Sequence, residues 1–375
     1  MMVRHILLAL LLFMAAVPAI AQNICIECKG VGSLPCPSKK CKDTVVFGTK
    51  TDFKTDAIWG EACCRGIQKV LCAKCQNPIA RAEIENELTM RKSWVDRMRK
   101  FDEECGTKFS HVETEQWILH YSIPQWKIGD ATLNRVKASY VWAVRLDSVS
   151  SLMRAALQQT PPGKCTSFLV ATRDEQKRTT LTQQGVGRDA QAFNTYGVPS
   201  SGAKFTTRPM PPDMTVDDGF HPHVAHNATH ILTQATYGFI QEFPSWLDEG
   251  MSHWVELQLF EKATTFCFHE LAPGKDPWRQ NDWRKNIYSA VAAKKDLAFA
   301  TILTHDMDKL TVQEKAYTWS YVEFLIATNG PKFPTLFSEL KKDKDTKKAL
   351  QKALGWSTVQ FQEEWRKHVL KTYAP

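Results

Sequence analysis

Two histidines four residues apart, His226 and His230, sit in the stretch HPHVAHNATHILTQATYGFIQEFPSWLDEGMSHWVE, residues 221–256. On a helix, residues i and i+4 share a face about one turn apart. Both imidazoles then reach a common point, the geometry with which two neutral ring nitrogens bind one Zn²⁺. Nineteen residues after His230 comes Glu249, in a segment whose start is marked by Pro244 and Ser245. Trp246, Leu247, Trp254, Val255 and Leu257 supply its apolar positions, so a second helix is predicted, bringing the Glu249 carboxylate as third ligand. His253, one turn after Glu249, is expected beside the ligands, hydrogen-bonding an imidazole, with fourth ligand or ordinary packing as alternatives. A fourth protein ligand would close the site, and a closed zinc site is structural. His223, one turn before His226, is open to the same roles. By helical phase Asp248 is expected to point away from the metal, into a capping or surface role.

A second concentration of ligand chemistry lies near the N-terminus. Eight of the eleven cysteines fall between Cys25 and Cys75: Cys25-x-x-Cys28, Cys36-x4-Cys41, the adjacent Cys63 and Cys64, and Cys72-x-x-Cys75. Two residues between cysteines let a tight turn aim both thiolates at one tetrahedral ion, and Gly30 and Gly32 supply the positive φ that such turns need. Disulfides in an oxidising compartment are the alternative. Either way the module is structural. Only Cys105, Cys165 and Cys267 remain for the rest of the chain, which must be held by an ordinary core with at most one bridge.

The His226/His230/Glu249-Gly250 arrangement resembles the gluzincin zinc metallopeptidases, in particular their peptidase MA-like branch. There the pattern is His-Glu-x-x-His on one helix, followed by a Trp-Leu-x-Glu-Gly-type segment with the third ligand. The resemblance implies zinc held by His226, His230 and Glu249, in an α+β, mainly helical, thermolysin-like metallopeptidase domain with a small β-containing lobe. It also implies that the general base of the family falls on Asn227. An amide cannot take a proton from metal-bound water, so the departure lies at the catalytic step and leaves metal binding untouched. Tyr317, in a Tyr-x-x-Ser segment like that of the branch, stands where some relatives present a hydroxyl to an oxyanion, with a core tyrosine as the alternative. Asn227-Ala-Thr229 also reads as a glycosylation sequon, discounted because a glycan there would crowd a ligand inside a helix.

The first cysteine element, with Gly30 and Gly32, resembles the Cys-x-x-Cys-x-Gly-x-Gly repeat of the J-domain chaperones' cysteine-rich region. That resemblance implies a zinc-ribbon-like module with one zinc on Cys25, Cys28, Cys72 and Cys75 and a second on Cys36, Cys41, Cys63 and Cys64. The inner set departs from the repeat: adjacent cysteines chelate one ion poorly and a four-residue gap is too wide.

The elements that must position these groups follow from periodicity and breakers. Residues 82–104 read as a charged connector helix, and residues 111–124 as a strand with Trp117, Leu119 and Tyr121 alternating until Pro124. A helix is expected over 140–158, ended by Pro161-Pro162-Gly163, and a strand over 165–172. Residues 183–219, rich in Gly, Pro, Ser and Thr, read as loop and short strands, since Gly185-Val-Gly187 has no frame for a phosphate loop. Helices are expected over 316–328, stopped at Asn329-Gly330-Pro331, over 346–354, closed by Gly355, and over 359–371. The last opens on a Ser357-x-x-Gln360 capping box and carries the stripe Phe361, Trp365, Val369.

At 375 residues, 43% hydrophobic and 23% charged, the chain reads as globular and long enough for a sizeable core. Its net charge of +8 is scattered and nothing singles out nucleic acid as a partner. Arg4 and His5, the apolar run 6–17 and Ala19-Ile20-Ala21 form the three parts of a secretory signal, and no later segment reads as a membrane span. The expected organisation is a signal peptide at 1–21, a cysteine-rich module at 22–82 and the metallopeptidase-like domain at 83–375. The expected setting is periplasmic, cell-envelope or extracellular, with a peptide or envelope protein as partner. Three functions are compatible: a zinc-binding protein that has lost peptidase activity, an active metallohydrolase drawing its base from Glu242, Glu256 or His253, and a structural module without catalysis.

Overall fold

The computed structural model describes residues 25–37, 69–114, 116–161, 163–184, 195–198, 203–209, 217–238, 243–267, 277–280 and 282–374. The signal segment 1–21, Cys41, Cys63, Cys64, Glu242, Gly185, Gly187 and Pro212 lie outside them. The fold is mainly helical with small sheets, an α+β architecture. It divides into two compact units, the smaller reaching to Arg97 and the larger running from Met98 among the described residues. The helix α1 (Pro78–Cys105) is longer than the predicted connector at both ends. Asn77 caps it, its Oδ1 accepting from the amides of Ile79 and Ala80 at 3.1 and 3.2 Å, and Pro78 follows at the first helical position, where a missing N–H costs nothing.

In the smaller unit, β1 (Ser33–Pro35) pairs antiparallel with β2 (Lys69–Leu71), Ser33 opposite Leu71. Gly32 leads into β1 with a φ of +80°, and a Cβ there would stand 2.7 Å from that of Ala80. Only glycine fits both conditions.

In the larger unit, five strands form one mixed sheet. The segment read as one strand over 111–124 is a hairpin, β3 (Ser110–Glu113) antiparallel to β4 (Trp117–Tyr121), followed by a separate hairpin of β5 (Gln125–Ile128) and β6 (Ala131–Asn134). The alternation seen in the sequence is that of β4, whose Trp117, Leu119 and Tyr121 are fully buried. α2 (Arg135–Leu157) crosses over to β7 (Cys165–Val170), parallel to β4. α3 (Arg173–Gln184) leads on to β8 (Thr195–Val198) and β9 (Ala203–Pro209), β9 parallel to β7 and β8 antiparallel on the edge. Short strands were expected here, but not one of seven residues, nor the helix before them.

The histidine-bearing helix is α4 (Asp217–Tyr237) and the glutamate-bearing one α5 (Ser245–Phe260). α4 packs against α2, the sheet and α5. Its first residue, Asp217, is tied to α2 by a bidentate ion pair with Arg145 and accepts from Trp126 Nε1 at 2.9 Å. Two small residues on α4, Ala225 and Ala228, are buried in the core of this unit.

Beyond α5 come a 3₁₀ turn (Pro277–Gln280), α6 (Trp283–Ala292), the one-turn α7 (Phe299–Ile302) and α8 (Val312–Asn329). α8 opens on a Thr311/Glu314 capping box that the sequence reading overlooked. The stop expected at Gly330 is not a left-handed cap: its φ is −42°, and the chain runs through a 3₁₀ turn (Gly330–Lys332) into α9 (Phe333–Asp343). Pro331 is tolerated because it sits in a first turn, where no intrahelical N–H bond is lost. α10 (Thr346–Leu354) ends at a left-handed Gly355, and α11 (Thr358–Thr372) starts at the Ser357/Gln360 capping box and buries Phe361, Trp365 and Val369.

α5 is the centre of this unit: every residue from Trp246 to Glu256 is buried, as in a helix enclosed on all sides. Its tightest contact is with α8. A Cβ on Gly250 would lie 2.6 Å from the Thr318 carbonyl oxygen and 2.7 Å from Val322 Cγ2. Gly250→Ala therefore forces the two helices apart and is expected to destabilise the larger unit by about 1–3 kcal/mol, read as a lower urea midpoint for the full chain.

Candidate metal centre

α4 and α5 bring His226, His230 and Glu249 together. His226 Nε2 lies 3.6 Å from Glu249 Oε2. A fourth side chain joins them: Cys267 Sγ lies 3.4 Å from His226 Nε2 and 3.7 Å from His230 Nε2. A tetrahedral ion with bonds of about 2.0–2.3 Å has ligand-to-ligand edges of about 3.3–3.8 Å. The three spacings fall in that range, and these four residues could together hold a metal ion.

Both imidazoles are turned the same way by carboxylates. His226 Nδ1 lies 3.3 Å from Glu256 Oε2, and His230 Nδ1 lies 2.8 Å from Asp248 Oδ1. A carboxylate at Nδ1 draws the ring proton to that nitrogen and leaves the Nε2 lone pair for a metal. Asp248 is therefore not the capping or surface residue expected from helical phase. It is 2% exposed and faces a predicted ligand, because α5 is buried all round and has no outward side.

Glu249 is held from its other oxygen. Lys315 on α8, fully buried, places Nζ 3.3 Å from Glu249 Oε1 and donates to the backbone carbonyl of Cys267. Burial alone would raise the Glu249 carboxyl; Lys315 and the imidazoles His253 and His226 outweigh it and hold it well below the usual carboxylate range. Burial lowers His226 to about 4, against the pull of Glu256, so the ring stays neutral. His230 runs the other way, since Asp248 overcomes burial and raises it well above its ordinary value. Burial and the nearby Glu249 push the Cys267 thiol up, so protons on His230 and Cys267 are what a cation must displace.

His253 sits between two carboxylates, Nε2 3.4 Å from Glu249 Oε2 and Nδ1 3.3 Å from Glu256 Oε2, with its ring edge-on to Trp283. It thus stands beside the predicted ligands, its ring nitrogens facing carboxylates while its ring lies against that of His226, centroids 4.8 Å apart. The residue that joins the predicted trio is Cys267. His226, His253 and Glu256 form a second grouping, on the Nδ1 side of the same His226 ring. Glu256 there is already engaged by the amides of Thr264 and Thr265 and by the Thr264 hydroxyl. Burial would raise its carboxyl, but hydrogen bonds from His226 and His253 bring it down to about 2. The Glu256 carboxylate is thus already engaged by His226, His253, Thr264 and Thr265.

Asn227 is buried, and its Nδ2 has no hydrogen-bond partner among the described residues. His223 is also buried. Tyr317, two residues past Lys315, is fully buried with its ring against Trp278, Tyr321 and Trp365, and burial pushes its phenol up to about 12.

The smaller unit gathers the outer cysteines. Cys25 and Cys72 have their sulfurs 3.6 Å apart, close to the edge of about 3.8 Å in a zinc–thiolate tetrahedron and far from a bond of about 2.0 Å. Cys28, Cys72 and Cys75 are buried together with Cys25 packed on them, and Cys25, Cys28 and Cys72 could hold an ion. The Gly32 amide donates to Cys28 Sγ at 3.3 Å. Burial raises the Cys28 thiol, but this bond and those with Cys75 and Cys25 outweigh it and bring it down to about 7. Arg81 donates to the carbonyls of Cys72 and Cys75, fixing their turn. Among the described residues no cysteine is in a disulfide. Cys36 is buried, and its proposed companions lie outside the described residues.

No family model matches the chain, and no curated protein matches it. Among the described residues no helix is long and apolar enough to cross a membrane.

Sequence reasoning missed Cys267, Lys315, and Glu256 as a partner of His226. Only Glu256 was within reach of a spacing argument, three residues past His253. Because Asp248 and Glu256 fix which nitrogens face the ion, Asp248→Asn and Glu256→Gln should each weaken zinc binding at this centre by about 10–100-fold, in titrations of the full chain against a competing chelator.

Proposed function

We propose that this chain is an exported zinc-binding protein whose larger unit is a gluzincin-type, thermolysin-like domain that holds the ion without efficient peptide hydrolysis. On this reading His226, His230 and Glu249 bind Zn²⁺, and the cysteine-rich unit holds a structural zinc on Cys25, Cys28, Cys72 and Cys75. A peptide or another protein of the periplasm, envelope or extracellular space is the bound partner. The observation that carries the reading is the pair of buried imidazoles, each with a carboxylate at Nδ1 and with Nε2 turned to a common point beside Glu249 or Cys267. Imidazole, carboxylate and thiolate donors suit Zn²⁺ and disfavour Mg²⁺ and Ca²⁺.

Zinc at such a centre supplies Lewis acidity and, where water is bound, a nucleophile. What the chain's own residues do is hold and orient. The step that needs a base falls on the Asn227 amide, which has no lone pair basic enough to accept the proton. Losing general-base assistance costs about 10²–10⁴-fold in rate. Of the alternative bases, Glu256 is committed to Thr264, Thr265 and His226, and His253 is raised above its ordinary value by Glu249 and Glu256 despite burial. Glu242, the third candidate, lies outside the described residues, so the reading of impaired hydrolysis rests on Asn227.

Elemental analysis of the purified mature chain tests the reading. Two zinc ions per chain are expected, falling to one in His226→Ala and to one in the double variant Cys72→Ser/Cys75→Ser. Removing metal by chelation should lower the melting temperature, and the zinc-loaded chain should not turn over a generic peptide pool. A zinc count unchanged in His226→Ala would mean that His226 holds no zinc and would favour a module without catalysis, and zinc-dependent proteolysis abolished by His226→Ala would make the chain an enzyme.

A further inference from the structure

Cys267 stands seven residues beyond the end of α5, outside any helical spacing to the histidines, yet its backbone is fixed from two sides. Glu256 on α5 accepts from the Thr264 hydroxyl at 2.9 Å and from the Thr265 amide at 3.0 Å, two residues before it. Lys315 on α8 holds the Cys267 carbonyl with the same ammonium that holds Glu249 Oε1. The side chains that orient two of the predicted ligands thus also place this thiol. Its distances to the two Nε2 atoms, 3.4 and 3.7 Å, bracket the nitrogen–sulfur edge of about 3.5–3.6 Å in a tetrahedral zinc site.

We infer that Cys267 binds the ion as a thiolate and is its fourth protein ligand, taking the coordination position that a hydrolytic centre keeps open for water. The inference rests on the reading that His226, His230 and Glu249 bind the same ion. As the sulfur–metal bond forms, the S–H bond breaks and its proton goes to solvent; no electrons are transferred. One carboxylate and one thiolate then balance the two positive charges of the ion, so the buried centre is neutral, the state that costs least to enclose. A closed set of four protein ligands holds its metal and does not work with it. It also accounts for Asn227: with no bound water to activate, the neighbouring position has no proton to take.

The test uses the full chain stripped of metal and reloaded with Co²⁺, whose thiolate-to-metal charge-transfer absorption reports sulfur ligation. The cysteine-rich unit contributes a constant background, measured in His226→Ala. The wild-type spectrum minus that background should contain a thiolate band. Cys267→Ala should lose it while still taking up the His226-dependent ion, with affinity lowered about 100-fold or more, beyond the 10–100-fold that losing an outer partner costs. Cys165→Ala should change nothing in the difference spectrum. A His226-dependent ion whose spectrum and affinity survive Cys267→Ala would overturn this inference and leave the three-ligand centre standing. No His226-dependent ion at all would remove the three-ligand centre, and this inference with it.

Discussion

Three helices meet over a set of charges that cannot stand alone in an apolar interior. Asp248, Glu249 and Glu256 from α5, His226 and His230 from α4, His253 from α5 and Lys315 from α8 are all buried. Isolated, each ionised group would cost several kcal/mol. Each is instead placed against an opposite charge or a ring proton, at 2.8 to 3.6 Å. That mutual satisfaction fixes the geometry. The carboxylates set which ring nitrogens carry protons, Lys315 takes one Glu249 oxygen and leaves the other to face His226 and His253, and Glu256 reaches on to anchor the segment bearing Cys267. Gly250 makes the arrangement possible by letting α5 lie against the α8 backbone.

Part of this was legible in the sequence. The four-residue spacing of His226 and His230, and a second apolar helix carrying Glu249, depend on local periodicity alone, and both helices occur with Ser245 at the start of the second. The capping box at Ser357 and the glycine closure at Gly355 were readable for the same reason: a cap is decided within a few residues. What escaped depended on tertiary position. The phase argument that turned Asp248 outward assumes a helix with a wet side, and α5 has none. Cys267 lies in an irregular segment whose path is set by hydrogen bonds to Glu256. Lys315 sits on a helix where charge suggests solvent, and only the meeting of α8 with α5 buries it.

The smaller unit is organised by the same kind of rule at shorter range. Cys25-x-x-Cys28 and Cys72-x-x-Cys75 are each followed by a group that locks the turn, Gly32 in one case and Arg81 in the other. The gathering of four thiols was readable because both turns carry their own local signal. The inner set had no such signal, with its adjacent pair and its four-residue gap.

The centre at α4 and α5 is the claim on which the rest turns, and a zinc-edge anomalous difference map from crystals of the full chain addresses it most directly. The account predicts a peak about 2.0–2.3 Å from His226 Nε2, His230 Nε2 and a Glu249 oxygen. A map with density only at the sulfurs of Cys25, Cys28, Cys72 and Cys75, and none between the two imidazoles, would contradict it.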